Sequence, residues 1–336
     1  MSDTDIEIMH KALALAATNL GQTWPNPAVG AIVVKDGKII GEGFTARGGR
    51  PHAEPQALKQ AGDKAKGATL YVTFEPCAHH GKTPPCTDAI INAGIARVVI
   101  ACGDPAPHVN GKGAATLRKA GIEVVEGVCE EEARLLNRGF LSVVEKKRPY
   151  IALKIATSAD DKIAGGKDRW ITGEASRQEV HRLRSQYDAI LTGIGTVLAD
   201  DPMLNVRIVG LEDRSPVRVI LDRHNRLPDK SQIAQTTNKY TSWVLSTPTL
   251  EETLEQLAEK GITRLLVEAG KTLNTAFLLS NVVDRVYWFK SPDSIGNKGL
   301  DAADGGLYTL ANWHKVDHTA LPPDTLDILE PCLPVS

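Results

Sequence analysis

The chain has 336 residues and a formal net charge of −2 at pH 7, and 42% of its residues are hydrophobic against 24% charged. This composition is typical of a soluble globular protein, and the length predicts two domains. The balanced charge argues against a nucleic-acid or anionic membrane partner.

The chain begins with MSDTDIEIMHKALALAATNL, whose spacing of apolar residues predicts an amphipathic helix that ends near Gly21. This stretch lacks the basic start and apolar run of a signal peptide, and no later segment reaches roughly 18 uninterrupted apolar residues. Five irregularly spaced cysteines do not resemble a disulfide framework and are typical of a reducing compartment. We therefore expect a cytoplasmic protein without a membrane span, and the sequence leaves a homo-oligomer open.

Strands and helices alternate over residues 1–140. A hairpin is predicted in AIVVKDGKIIGEGF, with its turn at Asp36-Gly37. A helix over 53–61 follows; ATLYVTF, ARVVIAC and IEVVEG are then predicted as strands, separated by helices at DAIINAG and around TLRKAG. This alternation predicts an α/β domain with helices covering a sheet.

The charged stretch VEKKRPY, residues 144–150, is the predicted domain boundary, because Pro149 disfavours helix at Arg148. We assign the first domain to residues 1–146 and the second to residues 147–336. In the second domain, strands are predicted at IALKIATS, DAILTGI, VRVILD, SWVLST and RLLVEAG, and helices at EASRQEVHRLRSQ, LEETLEQLAEKG and TLNTAFLLS. The second half is therefore another α/β domain.

Residues 73–86, TFEPCAHHGKTPPC, carry two cysteines across a loop stiffened by prolines, and His52 lies upstream at the start of a predicted helix. His52, Cys77 and Cys86 would supply one imidazole and two thiolates, which are ligands that zinc prefers. A fourth tetrahedral position would stay open for water, as is typical of catalytic rather than structural zinc. Cys86 opens a predicted helix, whose N-terminus would favour the thiolate.

Glu54, two residues after His52, is the predicted catalytic residue. A carboxylate beside the metal can take a proton from water and return it to a leaving amine. His-x-Glu followed by Pro-Cys and a second cysteine is the pattern of zinc nucleoside and nucleobase deaminases, which usually have Cys-x-x-Cys. Here eight residues separate the two cysteines.

Three other interpretations are compatible with these residues. The zinc would be structural if His79 or His80 supplied a fourth ligand. A nucleic-acid base deaminase with an accessory domain would carry a basic surface, which the net charge does not favour. A non-catalytic zinc module joined to a nucleotide-binding domain would have no need of Glu54.

The motifs PNPAVGAIVVKDGKIIGEGF, HAE and TFEPCAHHGKTPPC resemble the N-terminal half of the bifunctional riboflavin-biosynthesis deaminase/reductase family. The resemblance implies a cytidine-deaminase-like fold and zinc-dependent removal of the 2-amino group from 2,5-diamino-6-(5-phosphoribosylamino)pyrimidin-4(3H)-one. Asn26 matches the family and is expected to shape the pyrimidine pocket. The loop 79–83, with two histidines, Lys82 and a threonine, suits the substrate's phosphate, and a solvated rigid loop explains the same residues equally well. Thr45 stands where the family usually has histidine.

The resemblance continues through LKIATSADDKIA, DRWITG, LRSQYDAILTGIGTVLADDPMLNVR and LLVEAGKTLNTAFL. It implies a dihydrofolate-reductase-like α/β fold and NADPH reduction of the substrate's ribosyl group to ribityl. By motif position, the residues expected to bind NADPH are Ala156, Trp170, Thr196, Asp200, Arg223, Gly270, Lys271, Thr272, Leu273, Asn274, Thr275 and Ala276, and those expected to bind substrate are Asp168, Arg184, Leu204, Arg207 and Glu268.

The run Glu268-Ala269-Gly270 is predicted to turn the chain from a strand into a helix, whose N–H groups can receive the cofactor's pyrophosphate. No GxGxxG follows a strand, so a Rossmann dinucleotide site is not supported. Arg184 and Arg207 can hold a phosphate, because a guanidinium matches it bidentately. The sequence departs from the family pattern at Asp161 and Lys271.

Overall fold

The computed structural model describes residues 2–81, 83–106, 109–166, 170–307, 310–311 and 313–332. Contacts divide the chain into two compact units, Met1–Arg148 and Pro149–Ser336. Lys82 and Asp168, for which the sequence predicts roles, lie outside the described residues. Within the described ranges, every helix is too short or too polar to cross a bilayer.

The first unit is built on a five-stranded sheet with the order β2-β1-β3-β4-β5. β1 pairs antiparallel with β2 and β3, whereas β3, β4 and β5 run parallel. The strands are β1 Gly30–Lys35, β2 Lys38–Phe44, β3 Thr69–Phe74, β4 Arg97–Cys102 and β5 Glu123–Glu126, and the helices are α1 Asp3–Ala17, α2 Ala53–Ala61, α3 Cys86–Asn92, α4 Lys112–Lys119, α5 Glu130–Leu136 and α6 Arg138–Lys146.

Two glycines of β2 let α2 approach the sheet closely. A Cβ added at Gly41 would lie 2.1 Å from the carbonyl oxygen of Ala57, and one at Gly43 would lie 2.3 Å from that of Ala53. Such distances leave no space for any side chain, so the helix backbone lies directly on the strand. This contact fixes the start of α2, where His52 is the N-cap residue.

The second unit contains an eight-stranded sheet with the order β10-β9-β8-β11-β6-β12-β15-β14. The first six strands in this order are parallel, β15 pairs antiparallel with β12, and β14 pairs antiparallel with β15. The strands are β6 Tyr150–Thr157, β7 Lys162–Ala164, β8 Ala189–Gly193, β9 Val217–Leu221, β10 Ser242–Leu245, β11 Arg264–Val267, β12 Arg285–Lys290, β13 Leu300–Asp301, β14 Trp313–Leu321 and β15 Asp324–Pro331, and the helices are α7 Glu174–Arg184, α8 Ile194–Asp200, α9 Gln232–Gln235, α10 Leu250–Glu259 and α11 Lys271–Leu279.

The parallel strands of this sheet place their carboxyl ends at one edge. Residues 189–191 of β8 and 265–267 of β11 are fully buried, as is typical of parallel strands covered on both faces. In open α/β sheets, ligands bind in the crevice at this edge. The segments that follow β6, β8, β9 and β11 are therefore brought to the same side of the sheet.

The predicted elements agree with the structure except near helix ends and at the C-terminus. α1 ends at Ala17 rather than near Gly21, and the Thr18 hydroxyl donates to the Leu15 carbonyl at 2.6 Å. Such a local side-chain bond competes with helix continuation. The elements that were not predicted from the sequence are helices α5, α6, α8 and α9 and strands β7, β12, β13, β14 and β15.

Candidate active sites

Three segments of the first unit bring His52, Cys77 and Cys86 together. His52 precedes α2, Cys77 lies in the loop after β3, and Cys86 is the first residue of α3. His52 Nδ1 lies 3.3 Å from Cys86 Sγ and 3.9 Å from Cys77 Sγ, and all three donor atoms lie within 4.8 Å of one another. Ligands of a tetrahedral zinc are separated by about 3.4–3.8 Å, given bonds of about 2.0–2.3 Å. One nitrogen and two sulfurs at these distances fit zinc.

The two thiols differ in acidity without metal. The pKa of Cys77 is lowered, first by a hydrogen bond from the Cys86 thiol and then by His52 and the backbone N–H of Cys86. That N–H lies 3.3 Å from Cys77 Sγ. The pKa of Cys86 is raised by its bond to Cys77 and by burial. In the metal-free cluster the N–H at this helix start is directed to Cys77 Sγ, and the expected thiolate at Cys86 in the zinc-bound cluster stays a prediction.

Glu54 lies in the first turn of α2 and is 3% exposed. Burial raises the pKa of its carboxyl group above the ordinary value, while the nearby His52 opposes that shift. A carboxyl group with a raised pKa can bind and release a proton near neutral pH. The structure thus places a buried carboxyl group beside the three donor atoms.

Neighbouring residues orient the donors. Asn26 Nδ2 donates to the Gly49 carbonyl at 2.8 Å and lies 3.3 Å from His52 Nε2, so it fixes the imidazole with Nδ1 towards the sulfurs. Glu75, two residues before Cys77, is 6% exposed. Its carboxylate accepts four backbone N–H groups, from Asp104, Gly111, Gly113 and Ala114. Sequence reasoning missed Glu75, since its partners lie 29–39 residues away.

Thr45 stands where the family usually has histidine. Its hydroxyl accepts from the Val29 N–H at 2.9 Å, and its side chain is buried. It therefore joins the strand ends of β1 and β2.

Arg50 contacts the loop 79–83, because its Nη1 donates to Thr83 Oγ1 at 2.5 Å. The sequence did not indicate a role for this cation.

In the second unit, four of the five predicted substrate residues meet at the carboxyl edge of the sheet. Arg184, the last residue of α7, donates from Nε and Nη2 to the Glu268 carboxylate at 2.7 and 2.9 Å. Asn205 links this pair to Arg207, whose Nη1 donates to Asn205 Oδ1 at 2.7 Å. Leu204, which directly precedes Asn205, is buried, and its backbone has a φ of 51°.

Positive charge exceeds negative charge in this cluster. Lys154 Nζ lies 3.7 Å from Glu268 Oε2, so Lys154, Arg184 and Arg207 contribute three cations against one carboxylate. Burial opposes ionisation of Glu268, but the charges of Arg184 and Lys154 lower its pKa to about 2. Burial and the Arg184 charge lower the pKa of Arg207. Two unbalanced positive charges would be stabilised by a bound dianion such as phosphate.

The residues predicted to bind NADPH follow the strands of the same edge. α8 follows β8 and α11 follows β11, so two helix N-termini lie side by side. The two helix starts are close together, since a Cβ added at Gly270 would lie 3.5 Å from Thr196 Oγ1. Asn274 is buried, and its Oδ1 has no hydrogen-bond partner among the described residues. This cradle of N–H groups fits a pyrophosphate.

Lys271 stands at the first position of α11, and its Nζ lies 2.9 Å from Asp304 and 3.7 Å from Asp301. Its positive charge is thus partly balanced by acidic side chains. The other departure, Asp161, has a φ of 61° and lies 3.5 Å from Lys290 Nζ.

The remaining predicted cofactor residues are more dispersed. Ala156 lies near the end of β6, and Arg223 follows β9, where its guanidinium donates to the carbonyls of Thr247 and Pro248. Asp200 ends α8, about 9 Å along the helix axis from its start. Trp170 is 56% exposed, and the Arg177 guanidinium lies 5.5 Å from its ring.

Family comparisons match both halves of the chain. Residues 2–102 match the model of the cytidine and deoxycytidylate deaminase zinc-binding region, and residues 149–326 match the RibD C-terminal domain. Among curated relatives, the riboflavin biosynthesis protein RibD of Aquifex aeolicus is 45% identical over 94% of this chain and 94% of its own length. RibD of Escherichia coli is 42% identical over 92% of each chain.

Solved structures agree with these matches. RibD of Acinetobacter baumannii superposes with a TM-score of 0.91 at 39% identity, covering 98% of this chain and 99% of the other. A diaminohydroxyphosphoribosylaminopyrimidine deaminase/5-amino-6-(5-phosphoribosylamino)uracil reductase of Thermotoga maritima gives 0.88 at 41% identity, with the same coverage. The predicted fold class, a cytidine-deaminase-like domain followed by a reductase domain, is confirmed.

Proposed function

The chain belongs to the RibD family of riboflavin-biosynthesis enzymes, and we propose that residues 1–146 carry its deaminase and residues 147–336 its reductase. It is a bifunctional enzyme that uses zinc for deamination and NADPH for reduction. The proposed first substrate is 2,5-diamino-6-(5-phosphoribosylamino)pyrimidin-4(3H)-one, and the proposed product, 5-amino-6-(5-phosphoribosylamino)uracil, is then reduced to the ribityl compound. The name of the Thermotoga relative supports this order.

The observation that carries the deaminase proposal is the cluster of His52, Cys77 and Cys86 beside the buried Glu54. These three residues would hold zinc, and Asn26 would keep the His52 ring in its orientation. When bound, zinc acts as a Lewis acid that lowers the pKa of a coordinated water to about 7. Since only thiolates and neutral imidazole ligate, binding would release the thiol protons of this cluster.

Glu54 would transfer protons during the hydrolysis. It takes a proton from the attacking water as the new C–O bond forms at pyrimidine C2, and it delivers that proton to the departing amine as the C–N bond breaks. The second proton of the water ends on a ring nitrogen, and ammonia leaves. The raised pKa of Glu54 suits both steps, because the group must bind and release a proton in one cycle.

The reductase proposal rests on the excess positive charge around Arg184 and Arg207. We assign the substrate phosphate to these guanidinium groups, with Glu268, Leu204 and Asp168 completing the substrate contacts. NADPH, when bound, supplies the hydride that reduces C1′ of the sugar. The N-termini of α8 and α11 would hold its pyrophosphate. The other proposed cofactor contacts are those predicted from the sequence.

The proposed partner is thus a small phosphorylated molecule rather than nucleic acid or membrane, and the proposed location is the cytoplasm. Thiolate zinc ligands are compatible with a reducing compartment.

One experiment tests both halves of the proposal. Purified enzyme is assayed for zinc content, for ammonia release from the diaminopyrimidine substrate, and for NADPH oxidation with the deaminated product. We expect one zinc per chain and both activities. Zinc without ammonia release would contradict the deaminase assignment, and NADPH binding without oxidation would contradict the reductase assignment.

A further inference from the structure

Asn205 is a buried residue that contacts both arginines of the positive cluster. It is 4% exposed. Its carbonyl oxygen accepts from Arg184 Nη1 at 3.0 Å, and its Oδ1 accepts from Arg207 Nη1 at 2.7 Å. Its Nδ2 donates to the Tyr240 hydroxyl at 3.1 Å. One residue thus holds the two guanidinium groups through two different acceptor atoms.

The contact matters most for Arg207. Arg207 is exposed, and the structure gives its guanidinium no other hydrogen bond to a described residue. Arg184, in contrast, also donates two hydrogen bonds to the Glu268 carboxylate. Since like charges repel, two neighbouring guanidinium groups stay together only if other groups hold them. Without the Asn205 side chain, Arg207 would turn towards solvent.

His181 supports the same carbonyl group. It is 8% exposed, and its Nδ1 lies 3.1 Å from the Asn205 oxygen. A carbonyl oxygen only accepts, so the Nδ1 atom must carry the proton. Burial and the charges of Arg184 and Arg207 lower the pKa of His181 to about 4. The ring is therefore neutral at pH 7 and fixes the backbone at Asn205 without adding a further cation.

We propose that Asn205 is a positioning residue that sets the spacing of the Arg184 and Arg207 guanidinium groups and thereby makes the reductase prefer a phosphorylated sugar. The inference rests on the proposed function, which assigns these arginines to the substrate phosphate. Asn205 need not touch the substrate, because it acts through the two side chains that it holds.

The test compares Asn205→Ala with Arg207→Ala and with Tyr240→Phe in the full-length enzyme. Tyr240→Phe is the matched control, because it removes the partner of Nδ2 and leaves the bond from Arg207 to Oδ1. Three quantities are measured: KM and kcat of the reductase with the phosphorylated substrate, the same constants with its dephosphorylated form, and inhibition by inorganic phosphate. NADPH affinity reports whether the reductase unit is folded.

For Asn205→Ala we expect KM for the phosphorylated substrate to rise about tenfold, as for a lost hydrogen bond to a charged group. Inhibition by inorganic phosphate should weaken by a similar factor. KM and kcat with the dephosphorylated substrate should change far less, because that substrate has no phosphate to bind the Arg184 and Arg207 guanidinium groups. A purely structural role would instead lower kcat for both substrates together and weaken NADPH binding. Tyr240→Phe should retain most of the phosphate preference.

Two results separate the inference from the proposed function. If Arg207→Ala loses the phosphate preference and Asn205→Ala keeps it, Asn205 is not the positioning residue. If neither variant changes the preference, the assignment of the phosphate to these arginines is wrong. If Asn205→Ala does not bind NADPH, the inference is tested with Asn205→Asp instead. This variant keeps the side-chain volume and adds a negative charge between the two guanidinium groups. Unchanged inhibition by phosphate in that variant would overturn the inference.

Discussion

The zinc cluster of the first unit and the arginine cluster of the second hold their key groups in different ways. In the zinc cluster, His52 and Cys86 stand at the starts of helices and Cys77 lies in the loop after β3, and the three donor atoms lie within 4.8 Å of one another. In the arginine cluster, Arg207 comes from a loop and depends on the side chain of Asn205 for its only described hydrogen bond. The donors of the zinc cluster are positioned mainly by where the helices begin, whereas Arg207 of the arginine cluster is held by a side chain.

This difference determines what each cluster tolerates. A zinc ligand cannot be exchanged without losing one of the three protein bonds that would hold the metal. An arginine that contacts phosphate can be weakened by degrees, because each hydrogen bond contributes separately. We therefore expect all-or-none behaviour in the first unit and graded behaviour in the second.

Removal of zinc by a chelator should have the largest effect. Deamination should be abolished, because no other group in the cluster can lower the pKa of water. Reduction of the deaminated substrate should persist, since the arginine cluster belongs to the other unit. Ammonia release and NADPH oxidation are measured before and after dialysis, and readdition of zinc should restore the first. Equal loss of both activities would contradict the expectation that only the first unit depends on zinc.

Glu54→Gln should lower ammonia release by about 10²- to 10⁴-fold, the range for loss of a general acid–base. Zinc content should stay at one per chain, because Glu54 is not among the three donors. Metal analysis and a steady-state deaminase assay check this result. Loss of zinc together with activity would show that the carboxylate belongs to the metal cluster instead.

Arg207→Ala should lower kcat/KM of the reductase by about 10- to 100-fold, the equivalent of about 1.5–3 kcal/mol for a charge-assisted hydrogen bond. Arg207→Lys should recover only part of this loss, because lysine keeps the charge without the planar fork. NADPH affinity and ammonia release serve as controls and should not change. Full recovery with lysine would mean that charge alone, rather than directed hydrogen bonding, holds the phosphate.

The smallest expected effect concerns pH. His181 has a pKa of about 4 in the folded protein, below the ordinary value of 6.5. The unfolded state therefore binds the proton more readily, so His181 contributes stability above pH 6.5 that is lost as the pH falls towards 4. In His181→Gln, the free energy of unfolding should depend less on pH over this window. Urea unfolding, followed by tryptophan fluorescence at several pH values, measures the difference; an unchanged slope would contradict a neutral buried ring.

The zinc cluster could be predicted more completely from the sequence than the arginine cluster. The zinc donors lie in two short motifs whose residue types are characteristic of the metal, so their meeting in space was predicted. Lys154 and Asn205 were missed, because their partners lie far away in the sequence or on other elements. For Asn205, the only signal was its position between Leu204 and Arg207.

Secondary structure was predicted best where hydrophobic runs are continuous. The parallel strands β3, β4 and β8 are buried runs and were located within one or two residues, whereas β11 begins at the predicted residue but ends three residues earlier than predicted, at Val267. The hairpin β14–β15 was missed because β14 is mostly exposed and its sequence shows no apolar face. Helices α5 and α6 are short and are interrupted at Asn137, whose side chain bonds to the backbone of Ala28. Such pairing depends on tertiary structure, which local patterns do not encode.

Because α2 lies directly on β2, substitutions outside the three ligands can also disturb the zinc cluster. A methyl group at Gly43 would push Ala53 outward, and with it the neighbouring His52, although Gly43 has no metal-binding atom. An allele such as Gly43→Ala would therefore behave as a defect in zinc retention. Cells that carry it would need external riboflavin when zinc is scarce and recover when zinc is supplied, which would distinguish this allele from one that removes Glu54.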